Sequence, residues 1–300
     1  MYDQIKTEEY MPQKNNKKTG KLILLVLVAV LLIGIFIYLG LLLNSNSNNS
    51  NKKKTVNKKQ TTAVEETVSV ESPRIVTTYN YVTYGRDGIN NNDYFLTNKN
   101  ITVDNFENSQ KIFFATQFLE TDNFLDTGKT KDNKKIYAVS VEEFEAALKK
   151  FFGSVIPYDK EGTYKVSLPF TKDGGSLVNL TYDNSLKSFV STFDTVNANN
   201  DKIKKYYTKL ISAMKKGDVL TLTEKVIYTS TQPSGNNLVI NIYSDYAKTK
   251  LIETKTVENS SINENTINID NYLEKANTIE YKFDIKDSKT YYFKSSSIKN

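Results

Sequence analysis

Residues 140–153 read SVEEFEAALKKFFG, and every part of an α-helix is present in them. Ser140 is a good N-cap, since its hydroxyl accepts from an otherwise free first-turn N–H, and Glu143 stands at the third helical position that a capping box uses. Val141, Phe144, Ala147, Leu148 and Phe151 recur at helical spacing and make one apolar face. Gly153 allows a left-handed exit, and Pro157 prevents continuation. The chain then changes character. Residues 163–170 and 177–182 are strand-like and flank the turn signal Asp173-Gly174-Gly175, and 186–193 follows a short turn at Asp183-Asn184. A helix followed by an antiparallel meander is the pattern from which the rest is read.

Upstream, 74–84 alternates and is rich in Val, Thr and Tyr, which predicts a strand. Residues 85–88 and the Asn run 90–92 predict a loop. A helix is expected over 105–119, with Asp104 and Glu107 spaced as a capping box and Phe106, Phe113, Phe114 and Phe118 as its stripe. Residues 120–135 are polar and read as a surface loop. Downstream, 203–216 fits a helical stripe (Ile203, Tyr206, Tyr207, Leu210, Ile211, Met214) and equally a two-sided strand. Lys216-Gly217-Asp218 before VLTLTEKVIYT favours the hairpin. Strands at 219–230 and 237–244, a short helix at 269–276 and a closing hairpin of 278–285 and 289–297 complete the pass. Helices and strands are segregated, so the fold class is α+β: an antiparallel sheet with two or three packed helices, preceded by one transmembrane helix. The folded domain is expected over 74–300, with a possible subdomain boundary near 155 or 200.

EEFEAALKKFFG, LVNLTYDNSLKSFVSTF and AMKKGDVLTLTEKVIYT together resemble uncharacterised Lys/Asn-rich single-pass membrane proteins of low-GC Gram-positive gut bacteria. The resemblance covers the last half of the chain and implies a membrane-anchored setting without implying an activity.

The N-terminal third supports that setting by itself. Residues 22–43, LILLVLVAVLLIGIFIYLGLLL, hold no charge, and a bilayer core takes about 20 helical residues. The run is longer than the 7–15 apolar residues of a cleaved signal peptide and is followed by Asn44-Ser45-Asn46 rather than a small-residue cleavage site. It reads as an uncleaved signal-anchor after a cytoplasmic tail, 1–21. Five lysines precede the span and five follow it before residue 60, but Lys17, Lys18 and Lys21 abut it while residues 44–51 separate Lys52 from its other end. The positive-inside rule then favours a cytoplasmic N-terminus and an extracytoplasmic domain. Residues 44–73 are rich in Asn, Ser and Lys and are expected to be a disordered linker.

Composition excludes more than it assigns. The chain has 300 residues, no Cys and no His. A Ser-His-Asp triad, an ordinary zinc site and a thiol nucleophile are therefore all out of reach. The net charge of +6 suggests nucleic acid until it is located: residues 1–59 carry ten Lys and three acids, and the remainder holds 30 basic and 31 acidic residues. Without a basic face or Arg clusters, no nucleic-acid partner is expected. No cofactor and no catalytic set is read.

Weaker candidates remain. Asp87, Asn90, Asn92 and Asp93 gather oxygen ligands of the kind calcium takes, although the spacing misses the EF-hand pattern. Ser212-Ala213-Met214-Lys215 matches Ser-x-x-Lys, and Glu142, Glu143 and Glu145 are clustered carboxylates. Gly128-Lys129-Thr130 has the ending of a P-loop without its earlier Gly. Tyr206, Tyr207, Tyr243, Tyr246, Tyr291 and Tyr292 are candidate recognition aromatics, because tyrosine joins apolar area to a polar tip. The expectation is a membrane-tethered extracytoplasmic binding or scaffolding module, with a surface protein or wall polymer as partner. The alternatives are an envelope enzyme using carboxylates or a Ser-Lys pair, and an inverted topology with a cytoplasmic regulatory domain.

Overall fold

The computed structural model of the chain describes residues 64–86, 92–170, 175–194, 202–263 and 265–299. The expected tail, the span 22–43 and residues 44–63 of the expected linker lie outside them. In chain order come strand β1 (Glu65–Val68), helices α1 (Pro73–Thr83) and α2 (Tyr94–Thr97), strand β2 (Asn100–Thr102) and helix α3 (Asn108–Thr116). Strands β3 (Leu125–Lys131) and β4 (Lys134–Ser140) lead into helix α4 (Val141–Phe152). The meander β5 (Thr163–Phe170), β6 (Gly175–Asp183) and β7 (Ser188–Asp194) follows it. The last part is β8 (Tyr206–Lys216), β9 (Val219–Ser234), β10 (Asn237–Tyr243), β11 (Leu251–Glu258), β12 (Asn277–Ile285) and β13 (Tyr291–Lys299).

Among the described residues every strand pairing is antiparallel, and the class is α+β as expected. The strands divide between two sheets rather than forming one. The smaller runs β3-β4-β7-β6-β5. The larger runs β1-β8-β9-β12-β13-β2, with β10 and β11 continuing from the far half of β9. Strand β9 makes this possible by its length of 16 residues: Val219–Val226 pairs with β12, and Tyr228–Ser234 pairs with β10.

Helix α4 closes the two sheets over one core. Its local chemistry is as read from the sequence: the Ser140 hydroxyl accepts from the Glu143 N–H at 3.1 Å, and Gly153 takes φ +81° with its N–H on the Lys149 carbonyl. Phe144 packs on Phe189 of β7 at 4.7 Å between ring centroids, and Phe151 stacks on Phe293 of β13 at 5.3 Å. One end of the helix therefore grips the small sheet and the other the large one. The same hydrophobic cluster includes Ile75, Phe114, Phe189 and Tyr281, so neither 155 nor 200 divides the core. Residues 62–300 form one unit. A second, smaller cluster around Ile227, Ile240 and Ile242 lies on the other face of the large sheet.

Several expectations are corrected. Residues 74–84 are helical: the Ser72 hydroxyl accepts from the Ile75 N–H, Pro73 sits in the first turn, and Ile75, Thr78 and Val82 turn one buried face inward. The helix expected over 105–119 is shorter. Its N-cap is Glu107 without a side-chain bond, and the Asn105 side chain instead accepts from the Thr102 N–H at 2.6 Å. Within the surface loop expected at 120–135, β3 and β4 make a hairpin around Asp132 and Asn133, at φ 53° and 60°. Positive φ at both central residues suits a type I′ turn. The end of the expected linker, 65–68, pairs with β8 (Glu65 opposite Lys216), so ordered structure begins before residue 74. The helix expected at 269–276 is a short 3-10 turn, Ile269–Tyr272. The region 203–216 is the strand β8, hairpinned to β9 at Gly217.

Candidate functional site

Strand β9 sends Leu220, Leu222, Glu224, Val226 and Tyr228 to its inner face, and all five are buried. Glu224 is thus a carboxylate in the line of the core, with no exposed surface. Three partners satisfy it. Arg86 Nη1 reaches Oε1 at 2.5 Å, Tyr281 of β12 donates to Oε2 at 2.5 Å, and Tyr79 of α1 donates to Oε1. Arg86 Nη2 in turn donates to the Tyr281 oxygen at 2.6 Å. Tyr206 donates to the Arg86 carbonyl at 2.9 Å. Gly85 makes the turn that aims Arg86 inward. It holds φ +75°, and a Cβ there would stand 2.4 Å from the Phe113 ring.

Burial by itself would lower the Arg86 pKa, but Glu224, with Tyr281 and Tyr79, overrides it and raises that pKa. Tyr281 and Tyr79 are pushed up mainly by burial, with Glu224 adding and Arg86 opposing, and Tyr228 is pushed up by burial and then by Glu224. Above about pH 10 an unfolded tyrosine releases its proton while these keep theirs. The stability they carry is therefore full below pH 10 and is lost as pH rises through their folded values. Each adds about 1.4 kcal/mol of loss per pH unit, so Tyr281 and Tyr228 alone should give about 3 kcal/mol per unit. Urea midpoints should fall steeply between pH 10 and 11, with the phenolate absorbance of these buried rings appearing as the chain unfolds, over and above that of exposed tyrosines such as Tyr246; an unchanged midpoint would refute the burial of these rings.

Glu224, Arg86 and Tyr281 are buried and Tyr79 is half-buried, so the ion pair presents almost no open surface. Two open regions lie along the large sheet. The first is a groove in two lobes of about 270 and 310 Å³ that share Asp245, Lys250 and Asn277. Tyr246 lies on its wall, edge-on to Tyr228 at 5.7 Å, with its hydroxyl donating to Asp93 at 3.2 Å. The second is a cleft of about 430 Å³ on the outer face of the large sheet. Lys202, Lys204, Lys205 and Lys248 line it, with Thr229 and Thr231 of β9.

Of the six candidate aromatics, Tyr246 is the exposed one, at 48%. Tyr206 and Tyr243 face each other across Tyr228 in register and pack against the main core. Tyr207 packs on the opposite face against the smaller cluster. Tyr291 is buried, with Arg74 5.7 Å above its ring, and Tyr292 is half-buried under Gly153, whose Cβ would meet the ring at 2.8 Å. Five of the six therefore serve packing, as strand alternation demands of aromatics in a two-sided sheet.

Of the calcium candidates, Asp87 and Asn90 lie outside the described residues. Asn92 accepts from the Tyr94 N–H at 3.2 Å, and Asp93 takes the Tyr246 hydroxyl. Among the described residues, no group of three or more acids is placed to hold a metal ion. Ser212 and Lys215 stand three apart in strand β8, which puts them on opposite faces. Gly128–Thr130 lies within β3 rather than at a helix start. Glu143 accepts from Asn123, and Glu145 from Tyr158. Comparison with protein-family models, with curated proteins and with solved structures finds no match for this chain.

Proposed function

We propose that this chain is a binding or scaffolding module of the bacterial cell envelope, anchored through residues 22–43 with its folded unit outside the cytoplasm. The uncharged run of 22 residues, with Lys17, Lys18 and Lys21 against its N-terminal end, is the observation that carries this reading. Residues 22–43 lie outside the described residues, and among the described ones no helix is long and apolar enough to cross a membrane. The open groove and the lysine cleft support binding as the task. Ser212 and Lys215 diverge, which takes that Ser-Lys pair away from the enzymatic alternative.

Trypsin added to intact cells tests the topology. Lys52–Lys54, Lys58 and Lys59 give it sites between span and domain, so the epitope of the β12–β13 hairpin should leave the cell pellet while a cytoplasmic control protein survives. An epitope that stays with intact cells and is lost only after lysis would place the domain inside and overturn the proposal.

A further inference from the structure

We propose that the lysine-lined cleft on the outer face of the large sheet binds a linear polyol-phosphate chain, seating successive phosphates on Lys202, Lys205 and Lys248. The folded part as a whole is close to neutral, with 30 basic and 31 acidic residues beyond residue 59. Against that background the cleft is a local concentration of charge: among the described residues, four lysines line it and no carboxylate does. Among the described residues, Lys202, Lys205 and Lys248 form no ion pair.

Both lips are held by the backbone. On one side, the Thr229 N–H donates to the Lys205 carbonyl at 2.9 Å, the Thr229 hydroxyl donates to the Lys204 carbonyl, and the Lys204 N–H reaches the Tyr207 oxygen at 3.2 Å. On the other side, Lys248 sits at φ +59° in the turn between β10 and β11. Its N–H donates to the Asp245 carbonyl at 3.1 Å. The Asp245 carboxylate is occupied by the N–H groups of Thr249 and Lys250 at 3.0 and 2.7 Å, so it serves the turn. Leu238 and Ile262 give the cleft apolar walls suited to the carbon backbone of a polyol, and Thr231 adds a hydroxyl.

The exposure of the lysines decides between a single anion and a chain of them. An exposed ion pair is weak and screened by salt, so one phosphate would be held poorly. A chain that presents several phosphates at once gains through effective concentration. The cleft volume of about 430 Å³ also leaves room for more than one phosphate.

This inference rests on the envelope reading for its biological source, but its test uses purified protein and is independent of orientation, so failure here and failure of protease shaving are separable. The full chain in nanodiscs of zwitterionic lipid is titrated with a fluorescent glycerol-phosphate oligomer at several salt concentrations. The expected result is binding that weakens with salt. The variant Lys202→Gln/Lys205→Gln/Lys248→Gln should bind at least about tenfold more weakly, with the slope of log affinity against log salt reduced by about 2, taking a loss of roughly 0.7 per phosphate contact on a single strand. A control with the same charge change elsewhere, Lys131→Gln/Lys150→Gln/Lys289→Gln, should bind like the wild type. The proposal is overturned if the wild type shows no salt-sensitive binding, if the control loses as much as the cleft variant, if inorganic phosphate competes at concentrations equal to the oligomer, or if phosphatidylglycerol vesicles bind at the cleft and the oligomer does not.

Discussion

Arg86→Met is expected to destabilise the folded unit by about 3–5 kcal/mol, because it leaves the Glu224 carboxylate buried without its counter-charge. Glu224 has no exposed surface and Arg86 only 5%, so water cannot replace the lost partner. Glu224→Met should cost a similar amount by stranding the guanidinium. The double variant Arg86→Met/Glu224→Met should recover much of the loss, since two apolar side chains of similar volume avoid both desolvation costs. Recovery will be incomplete, because the Tyr281 hydroxyl both donates to Glu224 and accepts from Arg86 and would be left unpaired, at about 1–3 kcal/mol. Adding Tyr281→Phe should therefore bring the double variant closer to the wild type. Urea unfolding of the four variants beside the wild type gives the answer. With a slope of about 1–3 kcal/mol per M, the single variants should lose more than 1 M in midpoint. Single variants that melt like the wild type would mean that the pair is hydrated.

The same network shows what could be read in advance and what could not. Glu224 breaks the apolar phase of VLTLTEKVIY, where Leu220, Leu222, Val226 and Tyr228 share its parity. A charge at an inward position requires a buried partner. The chain has two arginines, Arg74 and Arg86, so the partner was nearly named by scarcity. Nothing local linked it to Glu224, 138 residues away. Helix α4 was legible because its cap, stripe and exit all lie within 14 residues. Helix α1 departs from its local preference: its Thr, Val and Tyr content favours strands, and the burial of Ile75, Thr78 and Val82 outweighs that preference. The Ser72-Pro73 start was the available signal. Strand β3 had no such signal: its residues are nearly all exposed, so no alternation marks it. The lysine cleft was invisible for a different reason. Lys202–Lys205 and Lys248 meet only because β10 returns along the far half of β9, and a charge count along the sequence averages them away.

Phe151→Ala should match the cost of breaking the ion pair, at about 3–5 kcal/mol, and for a reason that concerns architecture. The Phe151 ring lies stacked on Phe114 of α3 and on Phe293 of β13, at 5.4 and 5.3 Å and within 12° and 9° of parallel. It also meets Phe152 edge-on at 4.6 Å. It has no exposed surface. Truncation removes a ring held by partners on two other elements, and a backbone tied into α4 has little freedom to collapse into the space. Each aromatic contact adds about 0.5–1.5 kcal/mol beyond its buried area, so Phe151→Leu, which keeps most of the volume, should still lose a measurable part. The location of the damage is the sharper test. Phe144 anchors the other end of α4 on Phe189 of the small sheet. If α4 is what joins the two sheets, amide exchange in Phe151→Ala should rise in α4 and β13 first, while the β4–β7 pairing beneath Phe144 stays protected. In Phe144→Ala the order should reverse. Exchange that rises uniformly in both variants would show that the sheets unfold as one body and that α4 holds no separable contact with either.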